Sequence, residues 1–168
     1  MTVKDVPKNQ GIYLVYDLGC QATGLLEIDI KAPAGTIIDI AHGEHLDDLR
    51  VRAEVGGRNF ADRYICRNGR QKWLMPYRRL GCRYLQIHIP KIDADVEIYH
   101  ISLRPVSYPF KDKGAFQCND NLLNDIWQIS KRTLQLCAHE HYEDCPWREQ
   151  ALYGCDSRMK ALFGYYVF

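Results

Sequence analysis

The chain lacks most of the signals that would assign it quickly. It has no excess of either charge: 22 Lys and Arg against 21 Asp and Glu leave a formal net charge of +1, too little to attract nucleic acid or an acidic membrane over distance. No window approaches the ~20 consecutive apolar residues of a membrane-spanning helix. The start, Met1-Thr2-Val3-Lys4-Asp5, has neither the apolar core nor the small-residue cleavage site of a secretory leader. A cytoplasmic location is therefore expected. The nearby glycines lack the strand–turn–helix setting of a phosphate loop, so nucleotide binding is not supported, and there is no internal repeat or low-complexity stretch. No cysteine pair has CxxC spacing, and the seven cysteines match no common zinc pattern. An odd count would leave one thiol over after full pairing, so buried reduced thiols are expected, with no cofactor and no metal.

What the chain does have is a change of character near residue 110. Before it, short β-type runs alternate with turn residues, at 11–16, 24–30, 36–41, 63–67, 72–75, 82–89 and 96–103. In the second, Leu26, Ile28 and Ile30 share one face; in the sixth, Leu85, Ile87 and Ile89 do. Strands at this spacing predict a mainly β fold, an antiparallel β-sandwich of jelly-roll type, and not a βαβ unit. Gly56-Gly57-Arg58-Asn59 reads as a turn. Tyr64, Trp73, Tyr77 and Tyr84 could form a sugar platform, but such strand aromatics more commonly fill a core.

Pro105, Pro109 and Gly114 mark a connecting stretch. Beyond it the apolar period becomes helical. Asn119 or Asp120 can cap a helix reaching about residue 138, with Leu122, Ile126 and Ile129 on a stripe that Leu123, Trp127 and Leu134 widen. A second helix is predicted over about 157–167. The expected division is a β-sandwich over 1–108, a linker over 109–117 and a helical part over 118–168. Two helices cannot enclose each other, so the helical part is expected to open a larger, truncated domain. Its apolar faces (Leu122, Ile126, Leu162, Phe163) are expected to pack on the sandwich, self-associate or aggregate.

Between the helices lies His141-Tyr142-Glu143-Asp144-Cys145-Pro146-Trp147-Arg148-Glu149-Gln150-Ala151-Leu152-Tyr153-Gly154-Cys155-Asp156. Asp144 can cap a short helix from 146 to 152, with Pro146 in its first turn, and Asp156 can cap the next. Crowded carboxylates with an arginine and aromatics suit glycoside hydrolysis. One carboxylic acid must protonate the leaving oxygen, and neighbouring carboxylates raise its pKa. Other carboxylates accept from sugar hydroxyls, and Trp147 and Tyr153 offer flat ring faces. The same residues also fit plain helix caps and a surface Arg148–Glu149 ion pair. His139, His141 and Cys145 lack metal-site spacing, and a Cys145–His141 nucleophile pair has equally little support.

Asp144-Cys145-Pro146-x-Arg148-Glu149, with Phe116-Gln117-Cys118-Asn119-Asp120 and Leu123-Asn124-Asp125-Ile126-Trp127 before it, resembles bacterial α-L-rhamnosidases. Tyr16-Asp17-Leu18-Gly19 and Arg79-Leu80-Gly81-Cys82-Arg83-Tyr84-Leu85 are similar to the strands of that family's sandwich. The resemblance implies a β-sandwich followed by the first two helices of an (α/α)6 six-hairpin barrel. It further implies inverting hydrolysis of terminal non-reducing α-L-rhamnose from rhamnosides. By position Glu149 matches the general acid, and Asp144, Arg148 and Asp156 match residues that hold the rhamnose hydroxyls. The loop is one residue shorter than the family's between Arg148 and Glu149, and Tyr153 stands where many members have tryptophan. The general base would lie downstream of this chain, so the chain alone is expected to be an inactive fragment. A different (α/α)6 glycosidase, or a non-catalytic carbohydrate-binding sandwich module, are the competing readings.

Overall fold

In a computed structural model of the chain, residues 2–3, 6–7 and 10–168 are described. Two compact units form, Met1–Pro105 and Val106–Phe168. Among the described residues the first holds β1 (Thr2–Val3), β2 (Ile12–Ala32), β3 (Ile37–Gly43), β4 (Leu46–Asp47), β5 (Arg50–Val51), β6 (Glu54–Val55), β7 (Arg58–Asn59), β8 (Ala61–Ile65), β9 (Gly69–Ile89) and β10 (Val96–Pro105). The second holds α1 (Asn121–Leu136) and α2 (Gly154–Val167). Neither helix is long and apolar enough to cross a membrane.

Six strands make one antiparallel sheet in the order β1-β10-β2-β9-β3-β8. The mainly β, antiparallel expectation holds, with a difference in how the two layers arise. The runs expected at 11–16 and 24–30 are the two halves of β2, and those at 72–75 and 82–89 are the two halves of β9. The early half of β2 and the late half of β9 pair with each other, and β9 then pairs with β3. The late half of β2 lies between β10 and the early half of β9.

The ribbon bends between these halves, where the register slips between Asp17 and Ala22 and again between Leu25 and Glu27. At the first slip, Asp17 accepts the Gly19 N–H and a two-point ion pair from Arg83, while Gly19 takes φ +80°. At the second, β9 skips from Leu74 to Arg79. Pro76, which has no N–H to give a ladder, falls in the skipped stretch. A single sheet thus curls on itself, as when strands switch layers through bulges. Leu26, Ile28 and Ile30 meet Ile38, Ile40, Leu85, Ile87 and Ile89 in one buried cluster.

Gly56 and Gly57, both at positive φ, form the two-residue turn between β6 and β7. Of the aromatics, Tyr64 and Trp73 stack at 5.0 Å and pack partly buried on the core. Tyr84 lies beneath the Arg83 guanidinium, and Tyr77 stands alone at 97% exposure. They do not make one platform.

Candidate active site

The helical unit is built to hold its central loop. The Asp120 carboxylate accepts the Leu122 N–H at 2.8 Å and so caps α1, while Asn124 clamps both backbone groups of Cys118 at 2.9 Å. Trp127 packs between Phe116 and Phe163, joining α1 to α2. Residues 109–117 are fastened along this unit. Lys113 and Gly114 both donate to the Val167 carbonyl, Lys131 pairs with Asp112, and Phe110 stacks on Phe168 at 4.0 Å. Past α1 the chain reverses, with the Glu143 N–H on the Cys137 carbonyl at 2.8 Å. Lys160 of α2 then binds the carbonyls of Glu143 and Asp144.

From Asp144 to Ala151 the chain closes a neck. The Asp144 N–H donates to the Ala151 carbonyl, and the Ala151 N–H donates back to Asp144 Oδ1, each at 2.9 Å. Inside the neck, Pro146–Glu149 make a turn and no helix forms over 146–152. Gln150 adopts φ +53°, in the left-handed region, and this ends any helical continuation. Asp144 therefore pins the base of a loop and does not cap a helix. Burial works against its charge, but hydrogen bonds from the Ala151 amide, the Cys145 thiol and the amides of Cys145 and Asp144 outweigh it. The carboxyl is held below its usual range.

Glu149 lies on the far side of the loop. Its Oε2 accepts the Tyr153 hydroxyl at 2.7 Å, its Oε1 lies 3.4 Å from Arg148 Nη2, and its N–H donates to Cys145 Sγ at 3.4 Å. Asp144, Arg148 and Glu149 thus belong to one closed loop, while Asp156 is carried separately, exposed in the first turn of α2. Asp156 is not the cap that the sequence suggested. The helix begins at Gly154, and Tyr153 is its N-cap residue, whose side chain makes no capping bond to the helix amides. Trp147 is 7% exposed and offers no ring face to a ligand. Tyr153 is 46% exposed, with its hydroxyl on Glu149. His139 Nε2 sits against the Leu136 carbonyl and His141 Nε2 against that of Gln150. Among the described residues no group of three or more His, Cys, Asp or Glu side chains could hold a metal ion.

Residues 8–102 match the bacterial alpha-L-rhamnosidase concanavalin-like domain, and residues 111–168 match the 6 hairpin glycosidase domain of the same enzymes. The chain belongs to the bacterial α-L-rhamnosidase family. Among solved structures it is similar to a GH78 family rhamnosidase of Bacillus sp. GL1, at 39% identity and a TM-score of 0.87. That match covers 98% of this chain and 17% of the other. The rhamnosidase from Klebsiella oxytoca, solved with rhamnose bound, shares the fold at 21% identity and a TM-score of 0.80, over 96% of this chain and 34% of that one. An alpha-L-rhamnosidase of Formosa agariphila is 28% identical over an alignment of 144 residues, with 81% of this chain and 15% of the relative covered. The chain therefore spans about a sixth of the length of the Bacillus and Formosa relatives.

Three residues shape this rhamnosidase loop in ways that the sequence did not signal. Lys160 braces the loop from α2 through backbone carbonyls, which any residue type supplies. Cys145 acts through its thiol where a helix would have used a carbonyl. Tyr153 was legible as an aromatic, but its hydrogen bond to Glu149 depends on the turn that replaces the expected helix.

Proposed function

We propose that this chain carries the proton-donating half of an inverting α-L-rhamnosidase site. Glu149 is the general acid: it gives its carboxyl proton to the glycosidic oxygen as the bond from that oxygen to the anomeric carbon breaks. Water attacks the anomeric carbon from the opposite face and loses its proton to a second carboxylate, leaving rhamnose with inverted configuration. That base is supplied by sequence outside these 168 residues. Asp144, whose charged form is favoured, suits an acceptor of hydrogen bonds from rhamnose hydroxyls rather than a proton donor. Arg148 orients the sugar from within the loop, and Asp156 contributes from the start of α2.

The observation that carries this reading is the setting of Glu149. Its carboxyl is oriented by Tyr153 at 2.7 Å, beside Arg148, in a loop whose neck is tied by Asp144. The purified chain is expected to release no aryl group from an aryl α-L-rhamnoside above the buffer rate. Robust turnover, abolished by Glu149→Gln, would place the base within the chain and overturn the half-site reading.

A further inference from the structure

We infer that the helical unit carries a further binding pocket, for a single phenolic ring, beside the loop that holds Glu149. A cavity of about 260 Å³ is lined by Tyr108 and Phe110 of the connecting stretch and by the turn that follows α1. Five of its seven lining residues, the two just named with His139, His141 and Tyr142, carry planar rings. The exposed Glu140 adds a carboxylate. Such a lining suits a flat ring, because aromatic groups pair by offset stacking or edge contact. An apolar cavity of about 150 Å³ already holds benzene, so this one admits a ring with its substituents. One carboxylate, able only to accept, matches one phenolic O–H. A saccharide carries a hydroxyl on nearly every carbon and would leave most of them facing rings. Both walls are held by contacts of their own. The Phe110 ring stacks on Phe168 at 4.0 Å and lies 4.7 Å from that of Tyr108, whose N–H donates to the Ala138 carbonyl. In the turn, Ala138 bridges to Tyr142, the His139 N–H donates to the His141 carbonyl, and His139 Nε2 lies 3.0 Å from the Leu136 carbonyl. Tyr108 is nevertheless 53% exposed, which leaves part of it open to a ligand. His141 joins the pocket to the loop, with Nε2 at 3.4 Å from the carbonyl oxygen of Gln150, the residue after Glu149.

The test is a titration of the isotope-labelled 168-residue chain, read residue by residue by NMR, with p-cresol, toluene and a methyl glucopyranoside as probes. p-Cresol is expected to bind with a Kd on the order of 1 mM and to move Tyr108, Phe110 and 139–142. Toluene, which keeps the ring and lacks the hydroxyl, binds several-fold more weakly, and the glucoside leaves these residues unmoved. Tyr108→Leu removes one ring, keeps apolar bulk and weakens p-cresol roughly fivefold. Glu140→Ala, in the exposed turn, brings p-cresol down to the level of toluene and leaves toluene unchanged. Tyr77→Ala, on the sheet, changes nothing. No saturable shift at these residues with p-cresol overturns the pocket, whether or not the variants fold. So do equal shifts from the glucoside, or a folded Glu140→Ala that still prefers p-cresol to toluene. A phenolic ring can arrive free or as the leaving group of a rhamnoside, and 4-hydroxyphenyl α-L-rhamnoside separates the two sources. As a leaving group it makes the rhamnoside bind tighter than p-cresol and move 144–156 as well; as a free phenol it gives no gain. That arm rests on the roles proposed for Glu149 and Asp144. The p-cresol arm does not, so the pocket and the half-site can fail separately.

Discussion

His42 sits at the inner end of β3, 2% exposed and edge-on to the Phe60 ring at 5.7 Å. Burial, with a smaller push from the Arg78 charge, drives its pKa down to about 3. An unfolded histidine titrates near 6.5. Between those values the unfolded chain binds a proton that the folded chain refuses, so stability falls as pH falls. The slope from this one residue is roughly 1.4 kcal/mol per pH unit. Urea unfolding of the β unit at pH 7 and pH 5 is expected to show that loss, and His42→Leu to flatten it. Equal pH dependence in the two proteins would mean His42 is not held neutral. The alternation that placed Ile38 and Ile40 in the core puts His42 on the same face, yet residue type alone did not mark it as buried. Asp144 and Glu149 were legible as a pair of acids. Their separate settings were not, since those depend on the Ala151 amide and the Tyr153 hydroxyl meeting them across a turn.

Strand and helix positions were largely legible, because period-2 and period-3.6 patterns follow directly from which face is buried. Connectivity between strands was less so. The runs at 11–16 and 24–30, and those at 72–75 and 82–89, were read as separate strands, whereas each pair is one continuous strand interrupted by a shift of register, a distinction set by pairing partners distant in sequence. Helix starts split in the same way. Asp120 was legible as a cap because it acts on its own neighbours, and Asp120→Ala is expected to destabilise the helical unit by about 1 kcal/mol. Gly114 was read only as part of a linker, yet a Cβ built there would lie 1.6 Å from the Tyr166 carbonyl oxygen. Gly114→Ala must push the backbone off α2, at a cost of roughly 1–3 kcal/mol or more. Thermal unfolding followed by circular dichroism checks both; a Gly114→Ala chain melting with the unsubstituted one would contradict the close approach.

At the scale of the whole molecule, a curled antiparallel sheet precedes a two-helix unit that presents an acid-bearing loop. The loop is internally tied at its neck by Asp144 and Ala151, at its turn by Cys145, and at its back by Lys160. Its geometry is therefore set by contacts within this unit. The apolar residues of α1 that remain exposed, Leu122, Ile126 and Ile129, show that the fold of this unit does not use the whole stripe visible in the sequence. The half-site proposed above is expected to recognise rhamnose weakly. The most direct measurement is a titration of the isotope-labelled chain with L-rhamnose, read residue by residue by NMR. Millimolar binding is expected, with shifts concentrated on 144–156 and lost in Asp144→Asn. Shifts confined to the sheet around Trp73 and Tyr77, equal shifts with unrelated monosaccharides, or no shifts in the loop would contradict a rhamnose-recognising half-site.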